Sequence, residues 1–122
     1  MLFRSQGNAS AQLNLGALYY AGQGVNKDLK EAAKWMRQSA QQGNGRAQFN
    51  LAMMYAQGEG VPMDFPRALV WFSAASTTLT GEQAKAADDN SKAIAGAMPR
   101  DQLQIAKDIA AKCLAGDYKA CE

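Results

Sequence analysis

GNASAQLNLGALYYAGQGVNKD, residues 7–28, returns at 43–64 as GNGRAQFNLAMMYAQGEGVPMD. The two stretches open units, 7–42 and 43–78, that match at a period of 36 residues in Gly7/Gly43, Asn8/Asn44, Ala11/Ala47, Gln12/Gln48, Asn14/Asn50, Leu15/Leu51, Tyr19/Tyr55, Gly22/Gly58, Gly24/Gly60, Val25/Val61, Asp28/Asp64, Ala32/Ala68 and Trp35/Trp71. Self-similarity at this spacing marks stacked supersecondary units in place of a single globular core. Such arrays present surfaces to partners, and the scaffold does not name the partner.

Within each unit the apolar residues keep a helical period: Ala11, Leu15, Leu18 and Tyr19 in the first, Ala47, Leu51, Met54 and Tyr55 in the second. These segments predict a first helix per unit, ended by the pairs Gly22/Gly24 and Gly58/Gly60, where the backbone can turn left-handed. Asp28 and Asp64 then stand where a side-chain acceptor would cap a second helix. Asp28 with Glu31 has capping-box spacing, and Pro66 falls in a first turn, where a missing N–H costs little. The second helices run through Ala32, Trp35 and Met36, and through Ala68, Leu69, Trp71 and Phe72, and each is expected to fold back on the first. Small residues at Ala11/Ala47, Gly16/Ala52 and Ala32/Ala68 allow close helix approach, and Trp35 and Trp71 are both expected in the core.

The pattern Ala-Gln-x-Asn-Leu-x-x-x-Tyr-x-x-Gly-x-Gly-Val-x-x-Asp, followed by Ala and Trp, resembles the Sel-one-like repeat (SLR) family of tetratricopeptide-like α/α solenoids. The resemblance covers nearly all of both units. It implies an all-α, right-handed superhelix whose first helices line the concave side. It also implies adaptor roles in protein assembly, often in bacterial envelopes or secretory compartments, and no catalytic activity.

Beyond residue 78 the repeat decays. Gly81, Ala84, Ala87, Ile94 and Ala95 read as another first-type helix, Met98–Asp101 as a turn, and Leu103, Ile105, Ala106, Ile109, Ala110 and Cys113 as a last amphipathic helix. Residues 79–122 are therefore expected to form a degenerate capping repeat, giving about six antiparallel helices in one domain, 1–122. Only Met1–Gln6 precede the first unit, which leaves Leu13 and Leu18 short of a neighbour. This end is expected to be a truncation point of a longer array, a homodimer contact or a partner site.

Composition narrows the chemistry. The chain has 122 residues, 48% hydrophobic, with thirteen basic and eleven acidic residues and a net charge of +2, too little for a nucleic-acid footprint. No run of apolar residues is long enough to span a bilayer, and Met1–Ser5 have no apolar core of a leader. Residues 1–50 carry six basic and two acidic groups, a local balance of +4, and Lys27, Lys30, Lys34 and Arg37 recur as one helical stripe. A solvated face is the ordinary reading of such a stripe, and an acidic partner the alternative.

Histidine is absent. That removes the commonest general base and metal ligand, and no Ser-x-x-Lys pair supplies an activated nucleophile. Gly22-x-Gly24 and Gly58-x-Gly60 lack the strand and third glycine of a nucleotide loop, and Asp88-Asp89-Asn90 lacks the spacing of a calcium loop. No catalytic residue, metal or cofactor is expected.

Cys113 and Cys121 are the only cysteines and flank a turn at Gly116. A disulfide clamp would favour a periplasmic or secreted location, and two free thiols a cytoplasmic one. Positions identical in both units serve the scaffold, so contact residues are sought where the first helices differ. Tyr20, Met53 and Gln57 differ from their counterparts and, with Asn14 and Asn50, form the expected binding set on the concave face. The asparagines could equally make structural hydrogen bonds between units. The expected function is capture of a protein or peptide partner, the alternative recognition of a glycan or cell-wall fragment.

Overall fold

The computed structural model describes residues 2–115 and 117–122, with side chains described from residue 8 onward. Its order is α1 (Leu2–Ala21), α2 (Leu29–Gln41), α3 (Gly45–Gln57), α4 (Phe65–Thr78), α5 (Gly81–Ala97) and α6 (Arg100–Cys113), then a 3₁₀ turn, Tyr118–Cys121. No strand occurs among the described residues. The fold is an all-α solenoid of antiparallel helices.

Each hairpin closes in the same way. Gly22 and Gly24 take φ of 71° and 77°, and Gly58 and Gly60 take 69° and 75°. The chain then doubles back, and the Asp28 N–H donates to the Tyr19 carbonyl at 3.0 Å as the Asp64 N–H does to Tyr55 at 2.9 Å. The Asp28 carboxylate accepts the Lys30 and Glu31 N–H groups, and that of Asp64 the Arg67 N–H. Only the aspartate half of the expected capping box forms, because the Asp28 N–H is already committed to Tyr19. Gly60 also permits close contact between the units. A Cβ there would lie 2.1 Å from the Leu29 carbonyl oxygen, whereas one on Gly24 would meet nothing within 4 Å. The second unit's turn thus rests directly on the first unit's α2.

α4 is the centre of the core. Ala68, Leu69, Val70, Trp71, Phe72, Ala74 and Ala75 are all buried, because α3, α5 and α6 pack around it. The Phe72 ring meets Phe49 of α3 edge-on, with centroids 5.3 Å apart. α5 and α6 both use α4 as their support, so the last unit departs from the hairpin pattern of the first two.

A buried glutamine joins the units. Gln48, fully buried, donates to the Ala40 carbonyl of α2 at 3.1 Å and accepts from the Thr78 hydroxyl of α4 at 2.9 Å. Its counterpart Gln12 accepts from Gln42 at 2.6 Å and donates to Gln38 at 3.0 Å.

Three expectations need correction. Trp71 is fully buried and bonded by Glu122 of the tail, but Trp35 is only half-buried and stands outside the core, with the Lys34 ammonium 5.3 Å from its ring centroid. Ala11, expected at a close helix approach, is exposed although Ala47 at the same position is buried; Leu18, expected to lack a neighbour, is exposed by 39% where Met54 is buried. α3 has α2 against that face, and no described helix offers α1 the same. Finally, α1 begins at Leu2 and not at Gly7, since the break before α3 depends on Gly43 at φ 94° and the Asn44 cap, and Asn8 is absorbed into the helix.

Cys113 and Cys121 form a disulfide between the end of α6 and the 3₁₀ turn, with Cα atoms 5.2 Å apart. Gly116, the expected turn residue between them, lies outside the described residues. The turn delivers Glu122 to α2, α3 and α4, where its carboxylate accepts from Arg37, from the Tyr55 hydroxyl at 2.7 Å and from the Trp71 indole N–H at 2.7 Å. Its main-chain carbonyl accepts from Arg67 Nε at 2.9 Å. Arg37, expected in a free basic stripe, is therefore a paired group, unlike the exposed Lys27, Lys30 and Lys34.

Candidate functional site

The first helix of each hairpin contributes to an open concavity. One recess of about 310 Å³ is lined by Ala17, Tyr20, Met36, Phe49, Asn50, Met53, Met54, Gln57 and Glu59. A second, of about 220 Å³, continues it along α5 through Arg46, Phe49, Asn50, Leu79, Gln83 and Ala86. Phe49 and Asn50 line both, so the two recesses adjoin.

The helical period explains the lining. Asn50, Met53 and Gln57 are spaced three and four apart and lie on one face of α3, while Leu51, Met54 and Tyr55 turn to the interior and are buried. The floor is soft and apolar, with Met36, Met53 and Met54 beside the Phe49 ring. The walls are polar. The Asn50 amide, which lines both recesses, makes a long contact, 4.0 Å, with the Met36 sulfur.

Across one rim, the Tyr20 hydroxyl donates to both carboxylate oxygens of Glu59, at 2.9 and 3.0 Å. This bond ties the end of α1 to the turn after α3. The bond to Glu59 raises the Tyr20 phenol above the ordinary tyrosine range, with burial and the carboxylate's charge adding to it. Tyr20 still exposes 39% of its surface beside the recess. At the other end Arg46 is exposed and makes no salt bridge among the described residues.

Of the residues expected to bind, Tyr20, Asn50, Met53 and Gln57 come together in this groove, and Asn14 lies exposed outside it. Phe49, Met36 and Glu59 were not anticipated. Comparing the units would have pointed to them, since Phe49 replaces Leu13, Met36 stands where the second unit has Phe72, and Glu59 replaces Gln23. Among the described residues no group of three or more side chains could hold a metal ion. No described helix is long and apolar enough to cross a membrane.

The Sel1 repeat family matches the chain over residues 9–44 and 45–77. Among solved structures, a Sel1 repeat protein from Oxalobacter formigenes is 41% identical over 57% of this chain and 29% of its own, with a TM-score of 0.57. The protein c5321, a protective antigen present in uropathogenic Escherichia coli strains and displaying an SLR fold, is 34% identical over 95% of this chain and 24% of its own, with a TM-score of 0.81. The chain thus spans under a third of the length of either structure. No curated protein matches it. Folds of this type are protein-interaction scaffolds and typically non-catalytic. The repeat, the glycine-turned hairpins and the helical stack agree: this chain belongs to the Sel1 repeat family.

Proposed function

We propose that the chain is a non-catalytic interaction module that holds an extended segment of a partner protein in the groove along α1, α3 and α5. The supporting observation is that the two recesses adjoin at Phe49 and Asn50. Methionines and a phenylalanine accept apolar side chains of varied shape, and the amides of Asn50 and Gln57 suit a peptide main chain. In this reading units 7–42, 43–78 and 79–122 act as one domain, and the exposed side of α1 around Leu18 receives an upstream repeat or a second copy. Sedimentation showing a monomer, with α1 as protected from hydrogen exchange as α3, would remove that last element.

Selection of peptides from a displayed library tests the groove. Selected peptides should bind Met53→Lys at least tenfold more weakly than wild type and Lys85→Ala unchanged. Equal binding to all three refutes the reading.

A second reading, an envelope module for a glycan or cell-wall fragment, draws support from the exposed Tyr20 ring beside Glu59 and Gln57. Muropeptides that shift the Tyr20 ring resonances in NMR, in a protein that selects no peptides, would favour it. The disulfide is compatible with a periplasmic or secreted location, and thiol titration of freshly isolated protein checks it.

A further inference from the structure

Away from the groove, and sharing no residue with it, four donors from three helices converge on one acceptor. Arg37 of α2, Tyr55 of α3 and Trp71 of α4 all bond the Glu122 carboxylate, and Arg67 of α4 bonds the Glu122 carbonyl. The donors belong to the repeat scaffold, whereas the acceptor arrives from a tail pinned back onto α6 by a disulfide one residue earlier, at Cys121. Trp71 is fully buried, and the Arg67 guanidinium is oriented by Asp64 at 2.7 Å. Without Glu122 this pre-aimed set of two guanidinium groups, a hydroxyl and an indole N–H would lack its anion, and such groups are costly to leave unbonded. The exposed Lys27, Lys30 and Lys34 extend a positive track along α2 toward Arg37.

We propose that Arg37, Tyr55, Arg67 and Trp71 form a carboxylate seat for an acidic segment of a partner protein, filled in the oxidised chain by its own Glu122 and opened when the Cys113–Cys121 disulfide is reduced. A dithiol drives the opening: the Cys113–Cys121 bond breaks, each sulfur gains an electron and a proton, and the donor's two sulfurs join in a disulfide. While the bridge stands it pins Glu122 at the seat; once it is cut, Glu122 competes only through a short peptide linker, at an effective concentration of about millimolar. Reduction thus lowers the competition and admits a carboxylate from outside.

The probe is a fluorescein-labelled, acetylated and amidated peptide Asp-Tyr-Lys-Ala-Ser-Glu, which carries the tail's glutamate without its cysteine. Fluorescence anisotropy should show at least tenfold tighter binding to dithiothreitol-reduced protein than to oxidised protein. Glu122→Ala should bind the probe tightly with its disulfide intact, so the test stands even if reduction unfolds the cap. Adding Arg37→Gln to Glu122→Ala should abolish binding, and a probe ending in Gln should bind at least tenfold more weakly. In NMR, reduction should move the Trp71 indole N–H resonance and leave that of Trp35 in place. Equal binding to the oxidised, reduced and Glu122→Ala proteins, no binding to any of them, or binding indifferent to Arg37→Gln or to the Gln-ended probe would overturn the proposal.

Discussion

Gly24 and Gly60 occupy the same repeat position with nearly the same backbone, φ 77° and 75°, yet alanine at the two sites should have very different effects. At Gly24 a methyl group meets nothing within 4 Å, so the cost is that of holding an L-residue in the left-handed region, about 1–2 kcal/mol. At Gly60 the same strain applies, and the methyl carbon also falls 2.1 Å from the Leu29 carbonyl oxygen and 2.5 Å from its carbon. Both are main-chain atoms at the start of α2, and neither can rotate away. Relief requires the second hairpin to move off the first by an ångström or more, an overpacking cost of about 1–3 kcal/mol on top of the strain. Gly60→Ala should therefore lose about 2–5 kcal/mol. With roughly 4 °C per kcal/mol for a domain of this size, its melting temperature should fall about 8–20 °C, against about 4–8 °C for Gly24→Ala. Far-UV circular dichroism melts measure both. Hydrogen exchange at the first turn of α2 should accelerate only in Gly60→Ala. If the two variants melt together, the turn of the second unit does not brace the first, and the account of the seam is wrong.

Other matched pairs should diverge in the same way. Trp71→Ala should cost about 3–5 kcal/mol in denaturant unfolding and Trp35→Ala under about 1.5, since only the former empties a buried site. Gln48→Leu should lose about 1–3 kcal/mol by leaving the Ala40 carbonyl without its side-chain donor, while the Thr78 hydroxyl keeps the Ala74 carbonyl, and Gln48→Glu should be worse at neutral pH than at pH 4. In an ultraviolet titration Tyr20 should ionise above the ordinary tyrosine value and return toward it in Glu59→Ala. Because the folded-state value is raised, the stability from this bond is fully present below the unfolded tyrosine value and is lost as pH rises through the folded one. Alkaline melts of wild type and Glu59→Ala should accordingly converge.

Signals carried by a few adjacent residues were legible in the sequence. The glycine turns, the Asp28 and Asp64 caps and Pro66 in the first turn of α4 each follow from local backbone chemistry, and the helices stand where those signals put them. Burial was less legible. Trp35 and Trp71 are equivalent by repeat, but their exposure depends on what covers them, and the tail that reaches Trp71 is set by contacts far away in the chain. The period likewise marks one face of α1 as apolar without saying that a helix lies against it, hence the exposed Ala11 and Leu18. In the groove, differences between the units singled out Tyr20, Met53 and Gln57, whereas Met36 reaches it from α2 and Glu59 from a turn. The packing of α6 on α4 left no periodic trace, because an amphipathic helix specifies how much of itself it hides and not which neighbour hides it.

The buried amide of Gln48 gives the stack a means of rejecting misalignment. Leucine or methionine there would be content in any greasy crevice, but an amide is satisfied only where a carbonyl of the preceding hairpin and a hydroxyl of its own arrive together. Sliding α3 along α2 by a single residue would strand it. Near-identical units invite just such slippage, and a polar side chain sunk between them makes the wrong alignments expensive, so the array is proofread as it assembles.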